Sequence, residues 1–151
     1  MIIDKKVIDP LSTYNMALKK IEESGIIPTK QRRVLAKILF EKGNRHISAE
    51  NLFDEVKRED RKISMATIYN TLKQFTNLGL IREIVVDKNK SLYDTNNKPH
   101  YHLYIEDEGK IHDIPTKNIN LDIPSIPACL SLHNIDVIVR VRSLKEDQKK
   151  N

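Results

Sequence analysis

Apolar residues in the first 80 positions recur at helical intervals, in four stretches that each carry their own start and stop signals. In "DPLSTYNMALKKIEESG" Asp9 serves as N-cap, Pro10 takes the first helical position and Gly25 follows the end; Leu11, Tyr14, Ala17, Leu18 and Ile21 form the apolar stripe. "PTKQRRVLAKILFEKG" predicts a second helix capped by Thr29 and stopped by Gly43, with Val34, Leu35, Ile38 and Leu39 inward. "SAENLFDEVKRE" predicts a third, capped by Ser48 and burying Ala49, Leu52, Phe53 and Val56. "SMATIYNTLKQFTNLG" predicts a fourth, capped by Ser64 and ended by Gly79, with Ile68, Leu72, Phe75 and Leu78 inward. Its opposite face is expected to carry Thr67, Asn70, Thr71, Lys73 and Gln74, with Ala66 and Tyr69 beside it.

After Gly79 the period becomes extended. Leu80–Val86 and Ser91–Thr95 are β-rich runs around a polar Asp87–Lys90 turn, the pattern of a hairpin. Helices followed at once by a hairpin form the winged-helix variant of helix-turn-helix, with the hairpin as wing. "NNKP" at 96–99 suits a linker. Beyond it "HYHLYIED" and "KIHDIP" predict strands, and "NIDVIVRVR" at 134–142 is the clearest strand pattern in the chain. "TKNINLDIPSIPACLSLH" is ambiguous, because Pro124 and Pro127 argue against one long helix. The expected fold class is α+β: a winged-helix domain over 1–95, a linker over 96–99, a small α/β domain over 100–143, and a flexible tail over 144–151. So short a second domain is poorly able to bury a core alone, which calls for packing against a second copy.

Composition narrows the class. With 39% hydrophobic and 31% charged residues the chain has the make-up of a water-soluble globular protein. No apolar run approaches a membrane span, so no membrane association is expected. "MIIDKKVIDPL" has acids and lysines where a signal peptide needs an apolar core, so the expected compartment is the cytoplasm. Cys129 is the lone cysteine, which leaves no four-cysteine structural zinc site within one chain. Residues 1–95 hold 18 Lys and Arg against 13 Asp and Glu, whereas 96–151 hold 8 against 8. The excess positive charge in the first part suits a polyanionic partner there.

The fourth helix has the features of a DNA reader. Small residues at its N-terminus let it enter a major groove, Ala66 and Tyr69 can meet thymine methyls, and Asn70 can bond an adenine edge or a phosphate. Its first-turn N–H groups, and Lys30, Arg32 and Arg33 at the start of the second helix, suit phosphate oxygens. The alternative is an amphipathic surface helix whose polar face meets only water.

The chain resembles the Fur family of metal-responsive transcriptional regulators. The likeness is carried by "GIIPTKQR", "RHISAENLF", "SMATIYNTLKQFTNLGLI", "SLYDT" and "HYHLYIEDEGKI", in family order and spacing over roughly residues 14–114. "ATIYNTLKQF", "DTN" and "DVIVRVR" are most similar to the iron response regulator Irr branch. The resemblance implies a homodimer with a winged-helix DNA-binding domain over 1–95 and an α/β dimerisation and effector-binding domain over 100–143, which binds AT-rich palindromic double-stranded DNA operators near iron or oxidative-stress genes. It implies that Tyr69 reads thymine and that Lys73 lies on the same DNA-facing helix, while Asn70 and Glu23 replace an arginine and a lysine usual in the family.

The resemblance also implies a regulatory metal site formed by His46, Asp94, His100, His102 and Asp113. Independently, His100 and His102 lie two apart, so on a strand both project to one face, while His112 should point away from Asp113's face. Imidazoles with carboxylates suit Fe²⁺, Mn²⁺ or Zn²⁺. The Cys-x-x-Cys pair of the family's structural zinc is replaced by Ile105 and Glu108, so none is expected, and Pro99 and Tyr101 displace a second histidine-containing site. The Irr-like likeness adds haem, with His100 and His102 as axial ligands. No nucleophile or substrate-pocket pattern points to an enzyme. The competing readings are a small two-histidine, one-carboxylate metalloenzyme and a DNA-binding regulator with a vestigial sensor site.

Overall fold

The computed structural model describes residues 10–145, with the side chains of Pro10 and Leu11 excepted. Asp9 as N-cap, Leu11 in the first stripe and residues 146–151 of the expected tail lie outside that description. The chain divides into two compact units, one ending at Asn97 and the other beginning at Lys98.

The first unit orders its elements as α1 (Pro10–Glu23), α2 (Lys30–Phe40), β1 (His46–Ile47), α3 (Ala49–Arg58), α4 (Met65–Asn77), β2 (Arg82–Asp87) and β3 (Lys90–Asp94). The three expected caps within the described residues are made. Thr29 Oγ1 accepts from the Arg32 N–H, Ser48 Oγ from the Asn51 N–H and Ser64 Oγ from the Thr67 N–H, each satisfying a first-turn donor that the helix itself leaves unpaired. At the end of α4, Gly79 has φ +68°, its N–H bonds the Thr76 carbonyl and the Leu80 N–H bonds the Phe75 carbonyl. This paired closure reverses the chain and delivers it into the wing.

The four helices converge on one apolar core. Ile21, Leu35, Leu39, Leu52, Val56, Ile68, Leu72 and Phe75 are buried in it, and Ala36 and Phe40 join although the helical stripe did not select them. Thr71 is a correction. It was expected on the exposed side of α4, yet it is 3% exposed. At 100° per residue Thr71 follows Ile68 by three positions, and so sits on the flank of the Ile68, Leu72 and Phe75 stripe.

The wing is a three-stranded sheet in the order β1-β3-β2. Sequence pattern gave the β2–β3 hairpin but not β1, whose two residues are too few to show a period. Strand β1 is held by pairing His46 with Asp94 and Ile47 with Tyr93. Around it the Arg45 guanidinium donates to both carboxylate oxygens of Glu55 in α3, and the Arg45 N–H donates to Thr95 Oγ1 at 2.9 Å. Glu55 is held below the usual carboxylate range, chiefly by the Arg45 hydrogen bond.

The second unit contains β4 (Tyr101–Ile105), β5 (Lys110–Ile114), a single 3-10 turn at Thr116–Asn118 and β6 (Ile138–Val141), in the sheet order β5-β4-β6. Strands β4 and β5 are antiparallel, whereas β6 pairs parallel to β4. The last strand is shorter than the 134–142 pattern suggests. Among the described residues its partner is β4, the parallel pairing runs only from His102 with Ile138 to Ile105 with Val141, and β4 begins at Tyr101, so most of 134–137 has no strand beside it; the Asn134 amide turns aside to bond the Asp136 carboxylate. The ambiguous proline-bearing stretch forms no helix beyond that 3-10 turn. Among the described residues of this unit, the buried apolar side chain is Tyr104, whereas Leu121, Ile123, Ile126, Leu130 and Leu132 are exposed. No helix in the described residues is long and apolar enough to cross a membrane.

Two outcomes test this description. Gly79→Ala should lower stability by about 1–2 kcal/mol in urea unfolding, because an added Cβ meets nothing closer than Lys20 Nζ at 4.0 Å and the cost is the left-handed backbone alone. Glu55→Gln should cost roughly 1–3 kcal/mol at pH 7. Because the folded-state pKa of Glu55 is depressed, its contribution exists above the unfolded value and disappears as pH falls through the lower folded value. The gap between wild type and variant should therefore begin to close as pH falls below about 4.

Candidate metal centre and nucleic-acid face

The described residues include side chains able to hold a metal ion: His46 and Asp94 in the first unit, and His100, His102 and Asp113 in the second. These are the five positions expected from sequence, and each unit arranges its own share.

In the first unit, the β1–β3 register sets His46 opposite Asp94, with Nε2 3.2 Å from Oδ2. The Asp94 side chain has no exposed surface, and its Oδ1 accepts from the Asn96 N–H at 2.8 Å. Burying a carboxylate this far requires donors or cations around it.

In the second unit, the antiparallel register places His102 opposite Asp113 and Leu103 opposite His112. Strand alternation thus puts His100, His102 and Asp113 on one face and turns His112 to the other, as expected. His100 Nδ1 lies 2.6 Å from the Lys98 carbonyl. A carbonyl oxygen can only accept, so Nδ1 carries a proton, which in the neutral ring leaves the lone pair on Nε2. That atom lies 3.0 Å from His102 Nε2 and 3.4 Å from Asp113 Oδ1, and His102 Nε2 lies 3.7 Å from the same oxygen.

These spacings fit a metal. Bonds of about 2.0–2.2 Å from nitrogen and oxygen donors to one ion put neighbouring donors roughly 3.0–3.5 Å apart in octahedral or tetrahedral arrangements. Outer-shell fixing of a ligand ring by a backbone carbonyl, as Lys98 supplies here, is the usual support for such a site. Sequence reasoning missed that carbonyl. A proline at 99 was visible, but not where the preceding carbonyl would point.

The other candidate surface lies in the first unit. Ala66, Tyr69, Asn70 and Lys73 are exposed on α4, Thr67 is half-buried with its hydroxyl 2.9 Å from Ser64 Oγ, and Lys30 is exposed at the start of α2. Arg32 and Arg33 have structural attachments. Arg32 donates to Gln74 Oε1 at 2.9 Å and to the Ile27 carbonyl, while Arg33 donates to the Pro28 carbonyl and pairs with Glu22 at 3.5 Å. Arg32 therefore struts α2 against α4. Gln31, Arg32, Asn70, Lys73, Gln74 and Asn77 line a groove of about 450 Å³ beside the exposed side of α4. A contact not foreseen from sequence joins the Tyr69 hydroxyl to Glu50 Oε1 at 2.7 Å. The two residues are 19 apart, and no local pattern reveals such a pair.

Comparison with known proteins bears on both surfaces. The model of the ferric uptake regulator family matches residues 23–139. A peroxide-responsive repressor, PerR, of Staphylococcus aureus is 30% identical over 104 residues, covering 69% of this chain and 70% of the relative. Among solved structures, a zinc-bound manganese uptake regulator aligns with TM-score 0.59 and 27% identity, covering 85% of this chain and 98% of the other. The Campylobacter jejuni peroxide stress regulator aligns with TM-score 0.58 and 26% identity, covering 85% and 97%. The chain belongs to the ferric uptake regulator family and is accordingly a DNA-binding, metal-responsive transcriptional regulator rather than an enzyme.

Proposed function

We propose that this regulator reads an AT-rich palindromic operator with α4 as a homodimer, and that one divalent ion held by His46, Asp94, His100, His102 and Asp113 controls that binding. The observation that carries the reading is the orientation of His100. With Nδ1 committed to the Lys98 carbonyl, the ring aims its lone pair into a cluster of imidazole and carboxylate donors. The fully buried Asp94 carboxylate beside His46 supplies the matching half.

The ligand residues come from both units, and this gives the site its regulatory value. When bound, the ion supplies a positive centre that neutralises the two aspartates and holds the imidazoles in place. His46 sits on β1, immediately before α3, and Asp94 ends the wing, so ligation of these two bears on the DNA-reading unit. Ligands on both sides of the 97/98 boundary give the ion different affinities for different settings of the units, the condition any effector must meet to shift an equilibrium.

Imidazole with carboxylate suits Fe²⁺, Mn²⁺ and Zn²⁺ alike, and the relatives described above are named for peroxide and manganese responses. The Irr-like segments extend the reading to iron-response genes. Haem is the weaker fit. Two axial ligands approach a haem iron from opposite faces, whereas His100 and His102 leave the same face of β4 with their Nε2 atoms 3.0 Å apart. The proposed compartment is the cytoplasm, where a DNA-binding regulator meets its operator.

The second unit supports the homodimer. Regulators of this family are dimeric, and the exposed run Leu121, Ile123, Ile126, Leu130 and Leu132 offers the apolar surface that this unit leaves uncovered.

Operator affinity of metal-stripped protein, re-measured with Fe²⁺, Mn²⁺ and Zn²⁺, should shift by roughly 5–150-fold with at least one ion. The shift should vanish in His46→Ala and in His102→Ala. Equal affinity in every state would reduce the cluster to scaffold and leave the vestigial-sensor reading. Leu130→Asp should turn a sedimenting dimer into monomer at micromolar concentration, while the α-helical circular dichroism signal of the first unit persists; a dimer unchanged by that substitution would place the subunit contact elsewhere.

A further inference from the structure

The groove-facing side of α4 does not present Tyr69 as a free phenol. Its hydroxyl is bonded to Glu50 Oε1 at 2.7 Å, and both side chains are exposed, Tyr69 at 45%. Glu50 occupies the first turn of α3, next to the Ser48 cap, so it is anchored on a fixed backbone. The Tyr69 bond is also the main influence holding the Glu50 carboxyl below its ordinary range, so Glu50 is ionised at neutral pH. An ionised carboxylate only accepts hydrogen bonds. The shared proton therefore belongs to the tyrosine, and its single donor is spent within the protein.

This changes what the side chain can read. Guanine shows two acceptors, N7 and O6, in the major groove. Adenine shows the N6 amino donor beside N7, and thymine shows O4 and an apolar methyl. A free tyrosine hydroxyl can donate to any of these acceptors and to phosphate oxygens. With its proton committed, the hydroxyl offers only lone pairs, and these repel guanine's paired acceptors. The ring edge still packs on a thymine methyl, and the oxygen still accepts from an amino group.

We propose that Glu50 is a specificity-determining residue that makes Tyr69 an acceptor and apolar reader, and so excludes guanine at the base pair Tyr69 faces. It acts through Tyr69 and is a positioning residue, not itself a base contact. The inference rests on α4 being the DNA-reading helix.

The test is operator binding with the full chain in whichever metal state, stripped or loaded with Fe²⁺, Mn²⁺ or Zn²⁺, binds DNA more tightly, using a panel in which each half-site base pair is replaced in turn by the other three. Wild type is compared with Glu50→Ala, Glu50→Gln, Tyr69→Phe and the double variant Glu50→Ala with Tyr69→Phe. Glu50→Ala frees the phenol proton and should relax discrimination against guanine at one position per half-site by roughly tenfold. Glu50→Gln can still accept the proton through its amide oxygen. It should keep the wild-type base ranking while binding every operator somewhat more tightly at low salt, because one negative charge is gone. Tyr69→Phe removes the repelling lone pairs along with the donor, so discrimination against guanine should fall there too, and the double variant should match the base ranking of Tyr69→Phe, since Glu50 acts on base choice only through that hydroxyl. A purely structural role for Glu50 would weaken all operators equally without changing any position, and that result overturns the proposal. If Tyr69→Ala and Asn70→Ala leave both affinity and base ranking untouched, α4 is not the reading helix, and the proposal falls together with that reading by a separate, recognisable signature.

Discussion

Asp94 carries a carboxylate with no exposed surface, and the cost of placing it there shapes the first unit around it. It ends β3, the central strand of the wing sheet, so its backbone is paired on one side with β1 and on the other with β2. Its oxygens meet the Asn96 N–H and the His46 ring. The next residue, Thr95, exchanges backbone and side-chain bonds with Arg45, and Arg45 in turn is bound to Glu55 of α3. One buried carboxylate is thus tied through a short chain of bonds to α3, the helix that precedes α4.

The proposed DNA-reading surface follows from the same economy of contacts. Capping by Ser48 and Ser64 fixes where α3 and α4 begin, and the Arg32–Gln74 bond sets α2 against α4. The exposed side of α4 is left with Ala66, Tyr69, Asn70 and Lys73 because Ile68, Thr71, Leu72 and Phe75 are taken by the core. Of these, Tyr69 is restrained by Glu50, so even the exposed face is more ordered than its solvent contact suggests. The cations nearest the start of α2 divide their roles. Lys30 remains available to a polyanion, while Arg32 and Arg33 first serve carbonyls and side chains of their own unit.

The second unit has a different balance. It buries Tyr104, His100 and His102 rather than an aliphatic core, and its apolar residues between 121 and 132 face outward. A unit of this size with so little buried apolar area is a component of a larger assembly, which agrees with the dimeric habit of the family. Charged clasps finish its edge: Arg142 pairs with Glu106 at 2.7 Å, and the Ser143 N–H bonds Asp107. Exposed pairs of this kind add register more than stability.

What the sequence determined by itself is whatever short-range chemistry decides. Helix starts at Thr29, Ser48 and Ser64 need only a side-chain oxygen and an N–H three residues on. The reversal at Gly79 needs a residue free to take positive φ, and the facing of His100 and His102 needs only strand alternation. The metal-capable residues were legible because their side-chain types and order match a known family. Tertiary structure alone decided the rest. Two-residue β1 exists only because β3, nearly 50 positions later, pairs with it, and Thr71 went inward because the stripe beside it was wider than the apolar letters showed. The proton on His100 was assigned by a carbonyl whose direction no residue type encodes, and the partner of Tyr69 by the packing of α3 on α4. The length of β6 was set by where β4 begins and ends, because a strand continues only as far as its neighbour can exchange hydrogen bonds with it.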